Sequence, residues 1–369
     1  MARNENSSNN RPSNRSSNRR IGFGGKKSEE PALDLEASDY SSEGDYEPAQ
    51  TPEAMELDND DVYNVLETIE LEWPSLTVCL SHDQESVYIE ATPDQSPLVS
   101  ELTQLSIDIS RPSRKSISKL ATHQLPAQIN RVRAQPNHIV AITDQSLSIF
   151  TNDMQHLSTK PIKGGFALAV TPQEIFYGNG SQVVLENTLE KDAPQTIATQ
   201  TPQPNPIDTQ ATEVFSLCPF ATNTALVATT ALSVADFRSG ELTQIYQSTV
   251  DINAVAYNSE NHIIIGDDTG TLTLFDKRAS SILETISFHR SPITHLAFAT
   301  PEVFASSSDC EVVLWDTSFT EEWEYHKYLN FVHQGQRYYK DFAFIADNTL
   351  ITTSLDGLCL FTPGVLIEE

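Results

Sequence analysis

Thr273-Leu274-Phe275-Asp276-Lys277-Arg278 has two counterparts in the chain: Ser233-Val234-Ala235-Asp236-Phe237-Arg238, forty residues before it, and Val313-Leu314-Trp315-Asp316, forty residues after it. Each is a β-branched or aromatic run stopped by aspartate, the composition of a strand running into a turn. A second shared run precedes the last two endings, Ile252-Asn253-Ala254-Val255-Ala256-Tyr257 and Ile293-Thr294-His295-Leu296-Ala297-Phe298, offset by 41 residues. Weaker copies occupy Ile129–Phe150, Gly165–Glu186, Val214–Arg238 and Lys340–Phe361, and Val87–Ile109 supplies one more. A period of about 40 residues with four short strands per unit belongs to a β-propeller, whose blades bury their faces only against one another. The expected fold is all-β, with seven blades between residues 73 and 369.

Ahead of the repeats the pattern changes. Val62, Val65, Leu66 and Ile69 fall at i, i+3, i+4 and i+7 behind Asp58-Asn59-Asp60-Asp61, which predicts an amphipathic helix over residues 57–72, docked on the propeller. Pro74 ends it, and Leu76–Leu80 is expected to close the ring by pairing beside Leu358–Phe361. Residues 1–56 are too polar to offset their ordering entropy and are expected to be disordered. The charge of this tail is segregated: Arg3, Arg11, Arg15, Arg19, Arg20, Lys26 and Lys27 come first, and residues 28–110 then hold no Lys or Arg.

Across all 369 residues, 23 Lys and Arg stand against 51 Asp and Glu, a formal charge of −28. Such a charge repels nucleic acid and anionic membranes and attracts cationic proteins, so no nucleic-acid binding is expected of the propeller. Cys79, Cys218, Cys310 and Cys359 are widely separated, without C-x-x-C spacing, which points to a reducing compartment and no zinc cage. No apolar run reaches the roughly 18–20 residues that span a bilayer, and the first residues lack a signal-peptide core. The expectation is a soluble, unsecreted monomer without membrane contact.

The stretch HRSPITHLAF…SSSDCEVVLWD, His289 to Asp316, resembles a WD-repeat blade. The resemblance implies a hydrogen-bonded structural set of His289, a serine at Ser306 or Ser307, Asp309 and Trp315. VYNVLETIELEWPSLTV, Val62 to Val78, is similar to the N-terminal helix and W-P-S-L-T strand of the histone-binding retinoblastoma-associated WD-repeat proteins, and FVHQG, Phe331 to Gly335, to the approach to their last blade. YLNFVHQGQRYYKDFAF, INRVRA at Ile129–Ala134 and KPIKGGFALAV at Lys160–Val170 lean toward a sister branch, the glutamate-rich WD-repeat ribosome-assembly proteins. Over residues 58–369 this resemblance implies a chaperone that escorts a basic client, large-subunit ribosomal protein three, to pre-ribosomal particles in the nucleus, and there the nucleolus. One feature departs from that branch, which often carries an acidic insertion between its first two blades. Here the stretch holds Arg111, Arg114, Lys115, Lys119, Arg131 and Arg133.

In the histone-binding relatives a basic client helix lies between the N-terminal helix and a loop leaving the sixth blade. Carried over, the walls here are Asp60, Asp61, Glu67, Glu70 and Glu72 on one side and Glu321, Glu322, Trp323 and Glu324 on the other. Carboxylates accept charge-assisted bonds from arginine, and a tryptophan adds a cation–π surface. The basic cluster of Arg15, Arg19, Arg20, Lys26 and Lys27 reads as a nuclear-localisation patch. Gly22–Ser28 lacks the spacing of a phosphate loop, and the His289, Ser306 and Asp309 positions read as architecture, since a triad needs an exposed nucleophile and an oxyanion hole. No catalytic residue, metal site or cofactor is therefore expected, and the function is binding. The alternatives are a histone-binding subunit of chromatin-assembly or deacetylase complexes and, from Asp236-Phe237-Arg238 and Asp276-Lys277-Arg278, a ubiquitin-ligase substrate receptor.

Overall fold

A computed structural model describes residues 62–93, 99–107, 117–187, 206–211, 213–279, 281–319, 326–346 and 348–364. The expected tail over 1–56 and the candidate localisation residues lie outside that set. The described residues form seven four-stranded antiparallel sheets. Their first strands are Val78–Leu80, Ile129–Gln135, Leu168–Val170, Ser216–Ala221, Ile252–Tyr257, His295–Phe298 and Asp341–Ala346, numbered here as blades 1 to 7. Each first strand touches that of the next blade, and the seventh touches the first, so these strands form a closed inner ring.

The core is divided among the blade interfaces. Between blades 5 and 6, Ala254, Ile264 and Leu274 pack on Leu296, Phe304, Val313 and Trp315, while Val78, Val87 and Ile89 of blade 1 meet Ile345, Ile351, Leu358 and Leu360 of blade 7. Each fully buried aliphatic side chain contributes about 1.5–3 kcal/mol, so ring closure has a strong hydrophobic drive. The recurring aspartates have a local cause. Asp236, Asp276 and Asp316 each end a third strand, and in each an Oδ1 accepts the amide two residues on, from Arg238, Arg278 and Ser318 at 3.0, 2.7 and 2.9 Å. These turns recur at the same place in three successive blades, because an Asp side chain can stand in for the backbone in starting a turn.

The N-terminal expectation is corrected. Tyr63–Ile69 is not helical; it is the outermost strand of blade 7, antiparallel to Gly357–Pro363, with Leu66 opposite Phe361 and Ile69 opposite Leu358. Residues 57–61 of the predicted helix lie outside the described residues. The apolar positions fit two periods: Tyr63, Val65, Ile69 and Leu71 alternate as a strand requires, and Leu66 turns outward. Blade 7 has only three strands of its own, and the unpaired edge of Gly357–Pro363 offers backbone partners that an amphipathic helix cannot use. The expected closure by Leu76–Leu80 is corrected with it, since Val78–Leu80 is the first strand of blade 1 and pairs with Val87–Ile89. At the join, Gly357 (φ +111°) brings its backbone against the Ile69 carbonyl, where a Cβ would collide.

Candidate functional site

In blade 6 the Trp315 indole donates to Ser306 Oγ at 2.8 Å, and His289 Nε2 lies 2.7 Å from the same oxygen. His289 Nδ1 stands 3.0 Å from both Ser308 Oγ and Glu311 Oε1. The indole N–H donates to the Ser306 hydroxyl, and His289 joins that hydroxyl through Nε2 to Glu311 and Ser308 through Nδ1, its donor and acceptor roles set by its tautomer. Burial would raise the Glu311 carboxyl, but the bonds from His289 and Gln334 outweigh it and hold the group below its ordinary value. Asp309 stands apart from this set: its carboxylate faces Lys340 Nζ at 3.7 Å, and its backbone N–H is bonded to Ser291. Glu311 occupies the acidic role expected of Asp309. Ser306 is 0 % exposed, so the arrangement fixes a blade and offers no accessible hydroxyl.

The candidate client-binding residues are only partly within the described set. Asp60, Asp61, Glu321, Glu322, Trp323 and Glu324 fall outside it. Glu67 lies in the outermost strand of blade 7, on the same face as Tyr63, Val65 and Ile69, with partial burial, whereas the helical reading put it on the opposite face. Glu70 and Glu72 follow that strand and are exposed. Tyr63, at its start, is buried against the last strand of blade 6, Leu329–Gln334: its ring meets Phe331 edge-on at 5.3 Å, and its Oη lies 3.0 Å from His333 Nδ1. The N-terminal strand and the strand that follows the 320–325 stretch are therefore neighbours.

A third cluster was not anticipated. Asp341, 0 % exposed at its side chain, opens the first strand of blade 7 and accepts from Thr77 Oγ1 at 2.7 Å, Val78 N at 3.3 Å and Arg133 Nη1 at 3.2 Å. Arg131 Nη1 lies 3.8 Å and His295 Nε2 3.4 Å from its other oxygen. Burial works against the charged carboxylate, but Arg133, His295, Arg131 and the Thr77 bond hold it far below the usual range. Burial pushes His295 down to about 3, so it is neutral near pH 7. These residues share a position in their blades. Counting two residues past the buried Ser75, Ile129, Ile293 and Tyr339 gives Thr77, Arg131, His295 and Asp341; the same count from Gly165, Val214 and Ile252 gives Ala167, Ser216 and Ala254. One half of the ring is thus polar and the other small. The paired arginines of INRVRA were the sequence signal, but their partner Asp341 lies 208 residues from Arg133.

The small half borders a cavity of about 290 Å3, lined by the first strands of blades 2 to 6, where Arg131, Arg133, Gln135 and His295 share the wall with Ala167, Ala169, Ser216, Cys218, Ala256 and Ala297. Among the described residues no three His, Cys, Asp or Glu side chains are grouped to hold a metal ion. No model of a known protein family matches the chain, and no curated protein is similar to it in sequence.

Proposed function

We propose that the protein is a non-enzymatic binding protein, a chaperone or adaptor for a basic protein client. Its resemblance to the glutamate-rich WD-repeat ribosome-assembly proteins makes large-subunit ribosomal protein three the first client to test, and large-subunit assembly in the nucleolus the process. The reading rests on the juxtaposition of Tyr63 with Phe331 and His333. The chain segment carrying Asp60 and Asp61 runs directly into Tyr63, and the one carrying Glu321, Glu322, Trp323 and Glu324 runs into the strand that holds Phe331. In a chain with charge −28, the carboxylates of these two segments are of the kind that accept charge-assisted bonds from an arginine-rich helix. Glu70 and Glu72, at the other end of the N-terminal strand, are exposed.

Fold does not choose the client, since propellers carry many functions. The W-P-S-L-T stretch at Trp73–Thr77 is shared with the histone-binding branch, so core histones are the second client. Calorimetric titration of the full chain with purified ribosomal protein three and, separately, with histone H3–H4 tests the reading. Tight binding of the ribosomal protein that weakens with salt and is lost in the triple variant Glu321→Lys, Glu322→Lys, Glu324→Lys is expected. Unchanged binding by that folded variant contradicts the assigned surface. Preference for H3–H4 replaces the first client with the second.

A further inference from the structure

We infer that the cavity between the first strands of blades 2 to 6 is a binding site for a phosphate-class oxyanion, held by Arg131 and Arg133 against a wall of small residues. The inference is independent of the proposed client surface. Its first support is charge. The residues lining the cavity include two guanidinium groups and no carboxylate. Asp341, sealed behind them, balances one positive charge, and neutral His295 adds none. One positive charge is left over in the middle of a protein whose formal charge is −28.

The second support is bonding. A guanidinium has five N–H donors in a planar fork. Arg133 uses Nη1 alone, toward Asp341 and the Val132 carbonyl at 2.8 Å. Arg131 makes one long bond, Nη2 to the Thr294 carbonyl at 3.5 Å, and approaches Asp341 only at 3.8 Å. Both side chains remain partly open, 19 % and 21 %, although they sit in the inner ring. Arg133, Thr77 and Val78 take one oxygen of Asp341, and Arg131 reaches the other only at 3.8 Å, so two guanidinium groups share a single carboxylate. A partly buried charge that only shares its counter-ion is costly, and an entering oxyanion reduces that cost.

The third support is shape. At the ring positions where blades 2, 6 and 7 place Arg131, His295 and Asp341, blades 3 and 4 place Ala167 and Ser216, and further along the wall come Ala169, Cys218, Ala256 and Ala297. Larger residues there would fill the space in front of the guanidinium groups. Instead about 290 Å3 is left, enough for a phosphate head with a small organic body on the apolar lining. Gln135, whose amide nitrogen donates to the Val170 carbonyl at 3.0 Å, and Ser216, whose Oγ accepts from Val255 N at 3.3 Å, also line the cavity.

The test is titration calorimetry of the full chain with inorganic phosphate and with phenyl phosphate at matched ionic strength, using chloride as control. Saturable one-to-one binding is expected. Equal affinity for the two identifies free phosphate as the ligand, and tighter binding of phenyl phosphate identifies a phosphomonoester. Arg131→Gln, which leaves the Arg133–Asp341 pair in place, should weaken binding by about tenfold or more. Ala297→Leu, which narrows the cavity without touching a charge, should weaken it and gives the answer should the arginine variant fail to fold. No phosphate-specific heat, or equal binding by the parent chain and both variants, overturns the inference.

Discussion

Tyr63 Oη lies 3.0 Å from Nδ1 of His333, a bond between residues 270 positions apart that ties the outermost strand of blade 7 to the last strand of blade 6. His333 stacks on Phe361 at 3.9 Å, and Phe361 pairs with Leu66 of the N-terminal strand. Burial pushes His333 down to about 3, so the ring is neutral, its Nδ1 accepts the Tyr63 proton, and its Nε2–H has no partner among the described residues. This phenol is one of the ties that hold the N-terminal strand against blade 6. Tyr63→Phe leaves a second buried imidazole nitrogen unpaired and should cost about 1–3 kcal/mol, and Tyr63→Ala about 3–5 kcal/mol. Urea unfolding of the full chain checks both.

Asp341 is the hub of the inner ring. Replacing it with Asn removes the buried counter-charge of Arg131 and Arg133 and should destabilise the propeller by about 3–5 kcal/mol. The double variant Asp341→Asn with Arg133→Met should recover part of that loss. A double-mutant cycle on unfolding free energies measures the coupling.

In blade 6 the prediction separates two acids. Ser306→Ala strands the Trp315 N–H and His289 Nε2 together and should cost about 1–3 kcal/mol, and Glu311→Ala should also destabilise by removing the His289 partner. Asp309→Ala removes only a half-exposed pair with Lys340 and should change stability by about 0.5 kcal/mol or less. Equal losses at Asp309 and Glu311 contradict the assignment of Glu311 to the network.

The pH dependence follows from His295, His333 and Asp341. Both histidines have folded values near 3 against an ordinary 6.5, so the unfolded chain binds more protons between those limits. Their contribution is complete above about pH 6.5 and is lost as the pH falls, by roughly 2 kcal/mol for each at pH 5. Asp341, lowered like a paired carboxylate, adds a further loss below about pH 4. Unfolding free energies measured between pH 7.5 and 4 should therefore decline steadily, and His333→Gln should flatten the upper part of the curve.

The repeat was legible because its cause is local. Asp236, Asp276 and Asp316 each bond within their own turn, so the pattern survives in one dimension. The N-terminal strand was misread because Val62, Val65, Leu66 and Ile69 satisfy the helical period while Tyr63, Val65, Ile69 and Leu71 satisfy the strand period. Only the open edge of Gly357–Pro363, far along the chain, decides between them. Glu311 replaced Asp309 for a related reason, since which acid reaches His289 depends on how the strand Glu311–Asp316 is set against Val303–Ser307. The ring of Thr77, Arg131, His295 and Asp341 draws on four blades and becomes visible only once the blades are in register.

The central claim is that this propeller binds a basic protein client through its acidic segments. Affinity purification of the tagged full chain from its own cells at moderate salt, with nuclease treatment and mass spectrometry, tests it most directly. The account predicts enrichment of one large-subunit ribosomal protein together with assembly factors. Recovery of core histones with deacetylase or chromatin-assembly subunits would contradict the choice of client, and recovery of a ubiquitin-ligase scaffold with no basic protein would contradict the claim itself.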